Sequence, residues 1–188
     1  FFFHADHGIR ARSPSRGLGD VYKRQEVDSS TRIAGQAIQA DRSFTWQMRE
    51  WARAVGDSND VYLYFFSHAP PVFRLYRPEA PELSGYEVGD RSAGAYHSGD
   101  LAFAFNNVGV VGVGWDDRDR ELSEELSSYW VNFARTGNPN GDRLPEWPAY
   151  DETGEQAIEF ATSGTAPTSK VRADKLNLFN DSYQVGGN

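Results

Sequence analysis

A nearly unbroken run of β-branched and aromatic residues, Val61–Ser67 (VYLYFFS), does most to fix the fold class of this chain. A strand with one face in water alternates apolar and polar residues, whereas a strand covered on both faces is apolar throughout. The run therefore predicts a buried strand of a parallel sheet with helices on both sides, an α/β arrangement. Ala69-Pro70-Pro71 ends the strand.

Two segments have the periodicity of amphipathic helices. The first is Asp41–Val55, with Asp41 in the N-cap position and Gly56 as the stop. Its apolar residues recur on one helical face: Phe44, Met48, Trp51 and Val55. The second begins near Asp116 and Asp117 and stops at Gly137. Its apolar stripe consists of Leu122, Leu126, Tyr129/Trp130 and Phe133. We expect Trp130 and Phe133 to anchor this helix in the core.

The remaining elements are shorter. Residues 72–96 have the glycine and proline content of a loop, and Asp100–Phe105 is compatible with a short helix. Gln156–Phe160 (QAIEF) alternates weakly, which favours a short edge strand, and the tail beyond Ala161 is polar and expected to end in disorder.

Residues 1–25 differ in composition from the rest of the chain. They open with three Phe and then become basic, with Gly, Ser and Pro. Arg16–Gln25 (RGLGDVYKRQ) resembles translated adapter sequence of the kind seen at the ends of metagenome-derived fragments. We expect residues 1–25 to be a non-native or disordered extension, and residues 26–188 to form the domain.

Charge and composition exclude several classes of function. Residues 1–25 contain five basic and two acidic residues, so of the net charge of −8 the rest of the chain carries −11. Such an acidic surface disfavours nucleic acid. No apolar run approaches the ~20 residues of a membrane span. The chain has no cysteine and therefore no thiolate metal site. The absence of cysteine does not decide the cellular compartment, and a secreted or periplasmic protein is compatible with it.

Three sequence blocks carry a family resemblance. Gly94–Phe105 reads GAYHSGDLAFAF, Trp130–Asn140 reads WVNFARTGNPN and Trp147–Tyr150 reads WPAY. In this order and spacing they resemble the C-terminal blocks of type-B carboxylesterases, and Val61–Pro71 resembles the strand before the histidine loop. The resemblance implies the C-terminal portion of an α/β-hydrolase fold: the last sheet strands, the catalytic-histidine loop and the closing helices.

The resemblance also assigns a candidate site. It implies that His97 is the catalytic histidine, acting as general base and then general acid on a small-molecule ester, with neither metal nor organic cofactor. Asp100 stands where the family usually has Glu, and it is either an outer hydrogen-bonding support of the site or an N-cap for Leu101–Phe105. His68 follows the strand, and its proline neighbours favour a structural role.

The nucleophile motif G-x-S-x-G is absent from the sequence, the nearest miss being Gly56-Asp57-Ser58-Asn59-Asp60. The family resemblance places the serine and the acid N-terminal to the histidine, so we expect the missing N-terminal part of the same domain to carry them. Two rivals stay open. One is a non-catalytic, cholinesterase-like interaction protein. The other is an aromatic-rich carbohydrate-binding module, which the two amphipathic helices oppose.

Overall fold

The computed structural model describes residues 34–35, 37–71, 91–92, 94–110 and 114–185. The predictions for residues 1–25 and for most of the loop 72–96 lie outside these ranges. The described sheet has three strands in the order β1 (Tyr64–Phe66), β2 (Gln156–Ala161) and β3 (Gly164–Ser169). Strand β1 pairs parallel with β2, which confirms the parallel strand predicted from its apolar run.

The predicted strand at Gln156–Phe160 is confirmed, but its predicted position at the edge of the sheet is wrong. Strand β2 lies between β1 and β3, and it pairs antiparallel with β3. Strand β3 and helix α4 (Ala173–Val185) follow Ala161, and the end of the tail that we expect to be disordered, residues 186–188, lies outside the described ranges. Strand β3 (GTAPTS) has no buried residue and pairs only with β2 among the described strands, and its sequence lacks the apolar pattern by which strands are recognised.

The first helix begins earlier than its sequence pattern suggested. Helical residues 34–35 and 37–40 precede a π-helical segment, Asp41–Thr45, which continues directly into α1 (Trp46–Gly56). Asp41 is therefore no N-cap. It is buried within the helix, and its carboxylate binds Arg172 at 2.7 Å, an ion pair that a local pattern cannot reveal. Gly56 is the last residue of α1 and not its stop, since the C-cap is Asp57 in right-handed geometry.

The first helix buries a face that differs in part from the predicted apolar face. Its buried positions are mostly polar, namely Asp41 and Thr45 in the π-helical segment and Arg49 and Ala52 in α1. Trp51, on the apolar stripe, is 49% exposed. Met48 and Val55 contribute partly buried surface to a small core cluster with Val61 and Leu63.

Two further helices follow His97. The predicted short helix is α2 (Leu101–Ala104), and the long one is α3 (Asp117–Thr136). Asp116 caps α3 in a reciprocal capping box with Asp119, and Gly137 ends it in the left-handed region at φ 76°. These boundaries agree with the sequence prediction.

The residues by which α3 packs into the core differ from the predicted pair, Trp130 and Phe133. Leu122, Leu126 and Tyr129 are completely buried, whereas Phe133 is 48% exposed and Trp130 is only partly buried. The expectation that Phe133 anchors the helix is therefore wrong. Trp147, from the WPAY block, fills the core between β1 and α3, and its indole N–H donates to the Leu63 carbonyl at 2.8 Å.

Candidate active site

His97 lies on a tight turn between the end of the histidine loop and helix α2. The Gly99 amide donates to the Tyr96 carbonyl at 2.9 Å, and a Cβ on Gly99 would come within 3.0 Å of that same oxygen. Ser98 takes a positive φ of 67°, a strained value for a side-chain-bearing residue. The imidazole of His97 is exposed and stacks on Phe44, with ring centroids 4.7 Å apart. The turn therefore presents the imidazole at the surface with one face covered.

Asp100 ties the end of this turn to the sheet. Its carboxylate oxygen Oδ2 accepts a 2.7 Å hydrogen bond from the Tyr64 hydroxyl, and both residues are completely buried. Burial raises the pKa of Tyr64, and the Asp100 charge raises it further, so the hydroxyl stays a donor. Burial likewise raises the pKa of Tyr96. Tyr64 belongs to β1, which fixes the turn against the centre of the core.

The N-cap alternative for Asp100 is confirmed for its position in the chain but not for a capping side chain. Its backbone occupies the N-cap position of α2, but its side chain makes no capping hydrogen bond to that helix. A support role through hydrogen bonds agrees with the Tyr64 contact, and its link to His97 stays a prediction.

His68 occupies a different environment from His97. It is completely buried at the end of β1, and its Nε2 lies 2.6 Å from Asp119 Oδ1. Nδ1 lies 3.0 Å from the Thr162 hydroxyl, an arrangement that suits a neutral ring with the proton on Nε2. Burial lowers the pKa of His68, and the positive charges of Arg91 and Arg118 lower it further, against the Asp119 carboxylate, which raises it.

Sequence reasoning missed Asp119 and Arg91. Arg91 Nη1 donates to Asp119 Oδ1 at 2.7 Å, and Nη2 contacts Asp116. The signal for Asp119 was present, because it stands three residues before Leu122 and seven before Leu126 on the buried face of α3. A carboxylate on an apolar stripe needs a partner. The sequence offered no comparable signal for Arg91.

The described ranges contain no group of three or more His, Cys, Asp or Glu side chains that could hold a metal ion. Within the same ranges, no helix has both the length and the apolar character required to cross a bilayer.

Comparison with known proteins decides the family. The model of the carboxylesterase family matches residues 11–179, which is most of the chain. The chain belongs to the carboxylesterase family. The match begins inside residues 1–25, and the domain boundary after residue 25 stays a prediction.

Individual carboxylesterases agree with the family match. Human cocaine esterase is 32% identical over 62% of this chain, and carboxylesterase 5A of Canis lupus familiaris is 35% identical over 66%. The chain spans only about a fifth of these relatives, 19% and 20% of their lengths. A Geobacillus stearothermophilus carboxylesterase superposes with a TM-score of 0.58 at 26% identity, over 77% of this chain and 27% of that one. The fold is thus part of an α/β-hydrolase fold.

The carboxylesterase fold and the local geometry together define what the site can do. An exposed imidazole on a fixed turn can exchange a proton with a group that approaches from solvent or from another part of the protein. Asp100 and Tyr64 form a buried support directly beneath that turn.

Proposed function

We propose that this chain is the C-terminal part of a carboxylic ester hydrolase and that it supplies the general base, His97. Family membership gives the reaction class, and the chain matches about a fifth of each relative. The nucleophilic serine and the acid then belong to the part of the enzyme that these 188 residues do not contain. The small-molecule ester would bind between the two parts.

One observation carries the proposal: His97 is exposed on a turn whose other end is buried. The imidazole stacks on Phe44, and Asp100 binds Tyr64 of β1. A base must reach a reacting group and must also hold its position while the proton moves. His68, by contrast, is completely buried with both ring nitrogens in hydrogen-bonding contact, which leaves no nitrogen for a substrate.

The proposed chemistry follows from the weakness of a serine hydroxyl as a nucleophile. The neutral His97 imidazole accepts the serine proton as the oxygen attacks the ester carbonyl, and the imidazolium returns it to the leaving alcohol. Water then attacks the acyl-enzyme, with His97 as base again. The acid supplied from outside this chain would hydrogen-bond the second ring nitrogen and stabilise the imidazolium.

The test compares the 188-residue chain with the complete enzyme, meaning the esterase of which this chain is the proposed C-terminal part. Both are assayed with p-nitrophenyl butyrate and labelled with a fluorophosphonate that reacts with activated serines. We expect turnover and labelling of the complete enzyme, and neither with the chain alone. Turnover by the purified chain would contradict the division of the site. A complete protein that shows neither would favour the non-catalytic, cholinesterase-like alternative.

A further inference from the structure

A buried ionic cluster, composed of His68, Arg91 and Asp119, has no part in the proposed chemistry. His68 and Asp119 are 0% exposed, and one carboxylate oxygen of Asp119 receives both partners, His68 at 2.6 Å and Arg91 at 2.7 Å. The other oxygen accepts the Asp116 amide at 2.8 Å in the capping box of α3. Removing a carboxylate from water is costly unless it is paired, so the cluster is stable only as a set.

Arg91 joins this cluster to the chain segment that leads to His97. It forms an isolated antiparallel bridge with Pro71, beside which the Ser92 amide donates to the Pro70 carbonyl at 2.9 Å. Its guanidinium reaches from the segment to Asp119 on α3. Arg91 therefore fixes the chain to α3 six residues before His97, at one end of what we name the histidine segment, residues 91–92 and 94–100.

The same segment is fixed at its other end by Asp100. Asp100 stands three residues after His97, and its carboxylate accepts a hydrogen bond from Tyr64 of β1. His97 thus stands between two buried carboxylate contacts, one through Arg91 to α3 and one directly to the sheet. Ring stacking on Phe44 is a weaker restraint, because a stacked pair contributes only ~0.5–1.5 kcal/mol beyond its buried area.

We propose that Arg91 and Asp119 are positioning residues for His97: they clamp the start of the histidine segment so that the imidazole keeps its working position. The proposal rests on the proposed role of His97. A guanidinium suits this task, because its fixed fork holds two carboxylates at once, here Asp119 and Asp116, whereas an ammonium is a point charge. A displacement of about 1 Å at a catalytic group can cost about a hundredfold in rate.

The experiment measures kcat per active site in the complete enzyme for Arg91→Gln, Arg91→Lys and Asp119→Asn. Active sites are counted by titration with a fluorophosphonate, so that misfolded molecules drop out of the rate. Asp117→Asn is the matched control, since it also removes a carboxylate from the first turn of α3, but from an exposed position. His97→Gln is measured beside them with its rate expressed per folded molecule, because the fluorophosphonate reacts only with a serine that the base activates.

We expect Arg91→Gln and Asp119→Asn to lower kcat per titrated site about tenfold or more, with KM within about twofold. The kcat per titrated site of Arg91→Lys should lie between the values of Arg91→Gln and the unsubstituted enzyme. This milder variant provides the test if the other two do not fold. A reduced count of active sites with unchanged kcat per site would mean that the cluster is only structural, and the proposal would be wrong. If His97→Gln retains activity, the proposed function fails instead, whatever the Arg91 variants do.

Discussion

At the scale of single residues, the Tyr64 hydroxyl supports the histidine turn. Tyr64 donates to the completely buried Asp100 carboxylate, and no solvent can replace that donor. Tyr64→Phe should therefore lower the free energy of unfolding of the complete enzyme by about 1–3 kcal/mol, the cost of removing a partner from a buried polar group. Urea denaturation followed by tryptophan fluorescence measures the change.

Tyr129→Phe is the matched control for that substitution. Tyr129 is equally buried, but its hydroxyl donates to the neutral carbonyl of Pro145 at 2.6 Å. Hydrogen bonds between neutral groups contribute less, so a loss of about 0.5–1.5 kcal/mol is expected. Equal losses in the two variants would mean that the Asp100 contact has no special weight.

His68 makes stability depend on pH. Burial lowers the pKa of His68 in the folded state, so between that value and the ordinary ~6.5 the unfolded chain binds the proton more readily. Stability should consequently fall as the pH drops through this range. His68→Gln should weaken that component of the acid dependence, as followed by thermal unfolding from pH 7.5 to pH 5 (conditions spanning ~6.5). An unchanged pH slope in the variant would contradict the assignment.

At the scale of elements, the sequence pattern of α3 predicts the ends of the helix but not the burial of each side chain. The helix, its capping box and its glycine stop agree with the sequence, because caps and periodicity are local properties. The depth of each side chain is not local. Leu126 is completely buried and Phe133 is 48% exposed, although both lie on the predicted stripe.

This difference predicts the energetics of α3. Leu126→Ala should destabilise the complete enzyme by about 2–5 kcal/mol, because it leaves a cavity in a closed core. Phe133→Ala should cost less than about 1 kcal/mol if its exposure persists in the complete enzyme. Thermal and urea unfolding of the two variants give the comparison, and a larger loss for Phe133→Ala would restore the sequence prediction.

The structural features could be predicted from the sequence to different degrees. The His97 turn, the nearby helix and the parallel strand followed from blocks of adjacent residues. The ion pair of Asp41 with Arg172 joins positions 131 residues apart, and no local pattern specifies it. The polar strand β3 went unrecognised because its pairing with β2, and not its own side chains, makes it a strand.

At the scale of the whole molecule, the described surface has features that favour association. Strand β1 pairs only with β2 among the described strands, so within the described ranges its other edge has no strand partner. Apolar side chains are also exposed on the described surface, among them Trp51, Leu101, Phe105 and Val110. Open edges and apolar patches promote association. We expect the isolated chain to associate in size-exclusion chromatography with light scattering, whereas a stable monomer would contradict this expectation.

The proposed function requires that His97, and not His68, is the general base. The most direct measurement is kcat for p-nitrophenyl butyrate hydrolysis by the complete enzyme carrying His97→Gln or His68→Gln, at one pH and per folded molecule. We predict a loss of about three or more orders of magnitude for His97→Gln, as for removal of a triad member, and about tenfold or less for His68→Gln. Near-normal turnover by His97→Gln, with activity lost in His68→Gln, would contradict the account.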